Sequence, residues 1–105
     1  MLERFYDPKA RLYLELHITV ESQEDEKFPQ FQSWAIANDW RASRFSEDDV
    51  DGYNGKWFLS AREEYKTIAM KNLKSTLAEL ENQNYSILRW KIEDTVLDSK
   101  YGDTL

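Results

Sequence analysis

Between Arg11 and Glu21 apolar and polar side chains alternate strictly. Leu12, Leu14, Leu16, Ile18 and Val20 share one parity, and Tyr13, Glu15, His17, Thr19 and Glu21 the other. Successive side chains of a strand point to opposite faces, so this stretch predicts a half-buried β-strand with a polar outer face. The polar run Ser22 to Glu26 interrupts the pattern. Phe28, Phe31, Trp34 and Ala35 then recur at helical spacing, which predicts a helix over about Lys27 to Asn38. Pro29 falls in its first turn, where a missing N–H is tolerated. Trp40 to Phe45 reads as a short strand. It ends at Ser46 to Gly55, a stretch with two glycines and the carboxylates of Glu47, Asp48, Asp49 and Asp51, which reads as a loop. Lys56 to Arg62, with Trp57, Phe58 and Leu59, has the aromatic content of a third strand.

Further along, Tyr65, Ile68, Ala69, Leu73, Leu77 and Leu80 form one apolar stripe, while Lys66, Lys71, Lys74, Glu79 and Glu81 lie elsewhere. This is the signature of an amphipathic helix, and Asn82-Gln83-Asn84 ends it. Alternation resumes from Tyr85 to Val96, with Leu88, Trp90, Ile92 and Val96 set against Arg89, Lys91, Glu93 and Thr95, and this predicts a fourth strand. The order strand, helix, strand, strand, helix, strand is the split βαβ arrangement. It predicts an α+β protein of the ferredoxin-like kind: a βαββαβ sandwich with a four-stranded antiparallel sheet and two helices on one face. The expected spatial order is fourth, first, third, second strand, and the other sheet face stays open. A meander with segregated helices fits the alternation of element types less well.

With 105 residues the chain predicts a single domain spanning 1–105, with a core at about 11–96 and a polar tail at 97–105. Its apolar and aromatic content, 41% and 14%, exceeds that of disordered chains. Twenty acidic against fourteen basic residues give a net charge of -6, which repels phosphate backbones and acidic lipid. Neither nucleic acid nor membrane is therefore an expected partner. The absence of cysteine removes thiolate chemistry and disulfides, and one histidine cannot build a His-rich metal centre. No metal and no cofactor are expected. No apolar run is long enough for a span, and Met1-Leu2-Glu3-Arg4-Phe5 does not open a signal peptide, so a cytoplasmic protein is expected.

Strand parity proposes where the chemistry lies. If the leucines and isoleucines face the helices, Glu15, His17 and Thr19 point outward beside Arg89, Lys91 and Glu93. The third strand adds Ser60 and Arg62, because an unpaired arginine is not buried, and Phe58 then faces outward as well. Arg62, Arg89, Lys91, Glu15 and Thr19 are the candidate ligand-binding residues. His17 and Glu93 are the candidate catalytic pair, since an imidazole among fixed charges can hold an anion or move a proton. The same alternation also describes a solvated sheet face with cross-strand charge pairs worth about 0.2–1 kcal/mol each. With Tyr13 and Phe58 outward it describes a dimer surface too.

His17-Ile18-Thr19 matches the His-x-Thr pattern of two-histidine phosphoesterases, whose second histidine does not exist here. Glu47 to Asn54 is similar to a calcium loop, but the twelfth position, where a bidentate Glu belongs, is Phe58. A solvated loop explains it better. Core packing accounts for three of Trp34, Trp40, Trp57 and Trp90, which weakens a stacking platform. The His17-Ile18-Thr19-Val20 and Arg89-Trp90-Lys91-Ile92-Glu93 motifs, a hydrophobic third strand and a long amphipathic helix extend over about residues 11–96. Together they resemble a group of small uncharacterised bacterial proteins with no assigned activity. The resemblance implies that His17, Arg89, Lys91 and Glu93 belong together and supplies no reaction.

Two functions of different class follow. The first is a small interaction module whose open sheet face forms a homodimer or docks a partner protein. The alternative is an enzyme or sensor for an anionic metabolite, with Arg89, Lys91 and Arg62 fixing the anion and His17 with Glu93 or Glu15 moving a proton. Depth beside His17 discriminates between them, because a ligand needs a concave wall and an interface a flat patch.

Overall fold

The computed structural model describes residues 13–44 and 55–94. Expectations for Arg11 and Leu12, Phe45, the acidic loop 46–54, Thr95, Val96 and the tail 97–105 lie outside the described residues. Four strands and two helices follow one another as β1 (Leu14–Glu21), α1 (Phe28–Ala37), β2 (Arg41–Arg44), β3 (Lys56–Glu63), α2 (Lys66–Asn82) and β4 (Ile87–Asp94). A 3-10 turn, Asp25–Lys27, leads into α1. The strands form one antiparallel sheet in the order β2-β3-β1-β4.

The parity of β1 holds throughout. Leu16, Ile18 and Val20 are buried with Trp57 and Leu59 of β3 and Ala42 of β2. Phe28, Phe31 and Ala35 of α1 and Ala69, Leu73 and Leu80 of α2 belong to the same core. Trp57 is its centre, with the Phe28 ring at 5.1 Å in an edge-on arrangement and the Phe31 ring at 5.1 Å; Tyr85 lies 5.1 Å from Phe31. Such ring pairs contribute about 0.5–1.5 kcal/mol beyond the area they bury.

The turn from α1 into β2 is set by its backbone. Asn38 donates its side-chain amide to the Trp34 carbonyl at 2.8 Å, and the Trp40 N–H reaches back to the Ala35 carbonyl at 2.8 Å. Between them Asp39 adopts φ 63°, a left-handed conformation in which Asp is among the tolerated residues. This reversal places Trp40 in the core, where its indole Nε1 donates to the Thr76 hydroxyl of α2 at 3.1 Å. Both partners can then be buried, since each satisfies the other's polar group.

Four residues expected on core-facing stripes are exposed instead, Tyr65, Ile68, Leu88 and Trp90, and Thr76 takes a buried place on α2. Tyr65 precedes the helix, so no helical spacing holds it on the stripe. Leu88 is 51% exposed because the β1–β4 register shifts between Thr19 and Val20. Thr19 faces Arg89 while Val20 faces Ile87, so Leu88 is the extra residue of a bulge and Ile87 packs against the core instead. Trp90 keeps the core-facing parity opposite Ile18 and is still 51% exposed, because β4 is an edge strand with a neighbour on one side only.

Candidate functional site

The registers arrange the outward side chains in three rows across the sheet. In the first, Arg62 of β3, Glu15 of β1 and Glu93 of β4 stand abreast. The second runs Arg41, Ser60, His17, Lys91, and the third Ser43, Phe58, Thr19, Arg89. Each row comes from residues of one parity on antiparallel neighbours, so the alternation that buries Leu16 and Ile18 also assembles the polar face. The structure thus brings together Glu15, His17, Thr19, Arg62, Arg89, Lys91 and Glu93, with His17 in the middle row.

Charge placement within the rows is specific. Glu15 directs Oε1 to Arg62 Nε at 3.7 Å and Oε2 to His17 Nε2 at 3.4 Å. Glu93 pairs through Oε1 with Lys91 Nζ, and its Oε2 lies 4.0 Å from His17 Nε2. The hydrogen bond from the Lys91 ammonium holds the Glu93 carboxyl below the ordinary carboxylate range, against a smaller opposing effect of desolvation. The fields of Lys91, His17 and Arg89 act in the same direction as the hydrogen bond. Glu15 is paired with Arg62 and not with Arg89, and Arg89 makes no ion pair with a described residue. The Arg62 guanidinium also stacks on the Tyr13 ring, 4.7 Å from its centroid.

His17 stands between two hollows. One, of about 370 Å³, is lined by His17, Thr19, Ser43, Phe58, Arg89 and Lys91 among others. The second, of about 570 Å³, lies where β3 runs on past the start of β2 and is lined by Glu15, His17, Asp39, Trp40, Arg41 and Arg62 among others. Volumes of roughly 300–1,000 Å³ are the range of small-molecule sites. The three rows carry four cations, Arg41, Arg62, Arg89 and Lys91, against the carboxylates of Glu15 and Glu93. This face is thus locally basic in a chain of net charge -6.

Sequence reasoning missed Arg41 and Ser43. The signal was present in the parity of β2, where Ala42 is buried and its two neighbours must face outward, but a strand of four residues gives a weak alternation. It also missed that Glu15, His17 and Glu93 offer three ligand atoms within 4.8 Å of one another. Counting histidines and cysteines does not find such a set, because it depends on which carboxylates the register places beside the imidazole. Among the described residues no helix is long and apolar enough to cross a membrane. Comparison of the chain with family models, curated proteins and solved structures finds no match.

Proposed function

We propose that the protein is a ferredoxin-like sandwich, with both helices on one sheet face, whose other face binds a small anionic metabolite. The strand order and the single core shared by α1, α2 and the inward residues of β1 to β3 support the fold. The observation that carries the function is Arg89: a guanidinium whose field reaches Glu93 but which makes no ion pair with a described residue, beside a hollow it shares with the Thr19 and Ser43 hydroxyls and the Phe58 ring. An arginine offers a planar fork of donors suited to carboxylate or phosphate, and neighbouring hydroxyls supply further donors. Lys91 is already engaged by Glu93, so it contributes field more than a contact. His17, between the two carboxylates, is the group that would exchange a proton with a bound anion.

The test is an NMR titration with inorganic phosphate and with a nucleoside monophosphate, following the single imidazole and the backbone amides of β1 and β4. Saturable shifts centred on Thr19, Phe58 and Arg89 are expected, and Arg89→Ala should weaken binding about tenfold, the scale of one charge-assisted hydrogen bond. Shifts no larger than those from equal ionic strength of chloride reject the reading.

A second reading is a homodimer or protein-docking module on the open sheet face; the exposed Leu88 and Trp90 of edge strand β4 favour an apolar contact, though Trp90 has the core-facing parity opposite Ile18 and not that of the open face. Sedimentation equilibrium decides it. Self-association predicts about twice the 12.6 kDa chain mass, and an invariant monomer at high concentration removes it.

A further inference from the structure

We infer that Glu15, His17 and Glu93 form a binding site for a first-row divalent cation of the Zn2+ or Mn2+ type. This inference does not use Arg89, on which the anion reading rests, but it shares His17 with that reading, and an ion held at Nε2 would take that nitrogen away from proton exchange. Its basis is the division of labour between carboxylate oxygens. Each glutamate has one oxygen, Oε1, facing a cation: Lys91 pairs with that of Glu93, and Arg62 faces that of Glu15 at 3.7 Å, an ion pair without a hydrogen bond. Each turns its other oxygen, Oε2, toward the same atom, His17 Nε2. Two oxygens and one imidazole nitrogen therefore converge, all within 4.8 Å of one another. Metal-ligating carboxylates are characteristically oriented in this way by outer partners.

The distances suit a small ion. Bonds of about 2.0–2.2 Å from zinc to nitrogen or oxygen in tetrahedral geometry put ligand atoms about 3.4 Å apart. His17 Nε2 and Glu15 Oε2 already stand at 3.4 Å, and Glu93 Oε2 at 4.0 Å must close by about half an ångström, a movement within reach of a carboxylate rotation. The donor set also selects the ion class. One imidazole and two carboxylates suit zinc, manganese or iron, whereas calcium and magnesium prefer six or more oxygens or a nearly complete water shell. Three protein ligands leave at least one coordination position open, and the side chains of Glu15, His17 and Glu93 are 26%, 32% and 43% exposed, so water and ion can enter. Arg62 and Lys91 already neutralise the two carboxylates and repel a dication, so affinity for the ion has to come from the three converging donor atoms and not from the charge of the face.

The experiment is calorimetric titration of the full chain with Zn2+ in a chloride buffer free of phosphate, so that its failure bears on the cation alone. One site per chain is expected, and Glu15→Gln and Glu93→Gln should each weaken it by about tenfold or more. A long-range proton–nitrogen NMR spectrum of the unaltered chain should show Nε2 of His17, and not Nδ1, shifting at saturation. This readout holds even where a variant fails to fold. No saturable binding, an unmoved Nε2 resonance, or binding that both variants retain at full strength overturns the assignment.

Discussion

Replacing Thr76 by valine keeps the shape of a buried side chain and removes one hydroxyl. Trp40 is 5% and Thr76 8% exposed, so water has little access to the indole N–H that now donates to the hydroxyl at 3.1 Å. A hydrogen bond of this kind contributes about 1 kcal/mol net, and a buried donor left without a partner costs about 1–3 kcal/mol. Valine and threonine differ little in helix propensity, and the added methyl offsets part of the loss. Thr76→Val should therefore lower stability by about 1–2 kcal/mol, a fall in Tm of roughly 5–10 °C for a domain of this size. The decisive measurement is a double-mutant cycle with Trp40→Phe, read by urea unfolding and far-UV circular dichroism. With phenylalanine at position 40 there is no N–H to orphan, and Thr76→Val should then cost about 1 kcal/mol less. Equal costs in the two backgrounds would refute the reasoning. Trp40 also lines the larger hollow beside Glu15 and Arg62, so the pair braces a wall of the candidate site.

The depressed Glu93 carboxyl stabilises the fold at pH above its unfolded value, and that contribution is lost as pH falls through the folded value. Glu93→Gln should flatten the acid limb of stability against pH, and unchanged limbs would contradict the Lys91 pairing. At Asp39, φ 63° admits glycine readily but not a β-branched residue, so Asp39→Val should cost about 1–2 kcal/mol in a denaturation midpoint while Asp39→Gly stays near neutral. Equal midpoints for the two variants would argue against the left-handed turn.

The polar face was legible because alternation is a local property. Once Leu16, Ile18 and Val20 were assigned to the core, Glu15, His17 and Thr19 had no other side to occupy. Arg62 followed from the cost of burying an unpaired charge, and the pairing of His17 with Lys91 from the expected strand order. What could not be read depended on contacts distant in sequence. Thr76 looks like a surface residue until a tryptophan 36 positions away hydrogen-bonds to it. The expected strand order already put β4 at the edge, but a pattern of apolar positions does not show that Trp90 stays half exposed there, or that Glu15 takes Arg62 as its partner when Arg89 carries the same charge. Those outcomes are decided by which neighbour the sheet provides and by how far each side chain reaches.

The bulge at Leu88 divides β4 into two reading frames. Beyond it, the frame of Arg89, Lys91 and Glu93 is locked to the outward rows of β1; before it, Ile87 is locked to Val20 and the aromatic core. The extra residue acts as a clutch between them. A strand without it would have to choose one phase for its whole length, and anchoring Ile87 in the core would turn Arg89 and Lys91 to the core-facing parity and away from the outward rows of β1. The single slipped position therefore lets one strand serve two masters: the start of β4 can be tuned for packing and its remainder for charge, without a change in either forcing the other to flip.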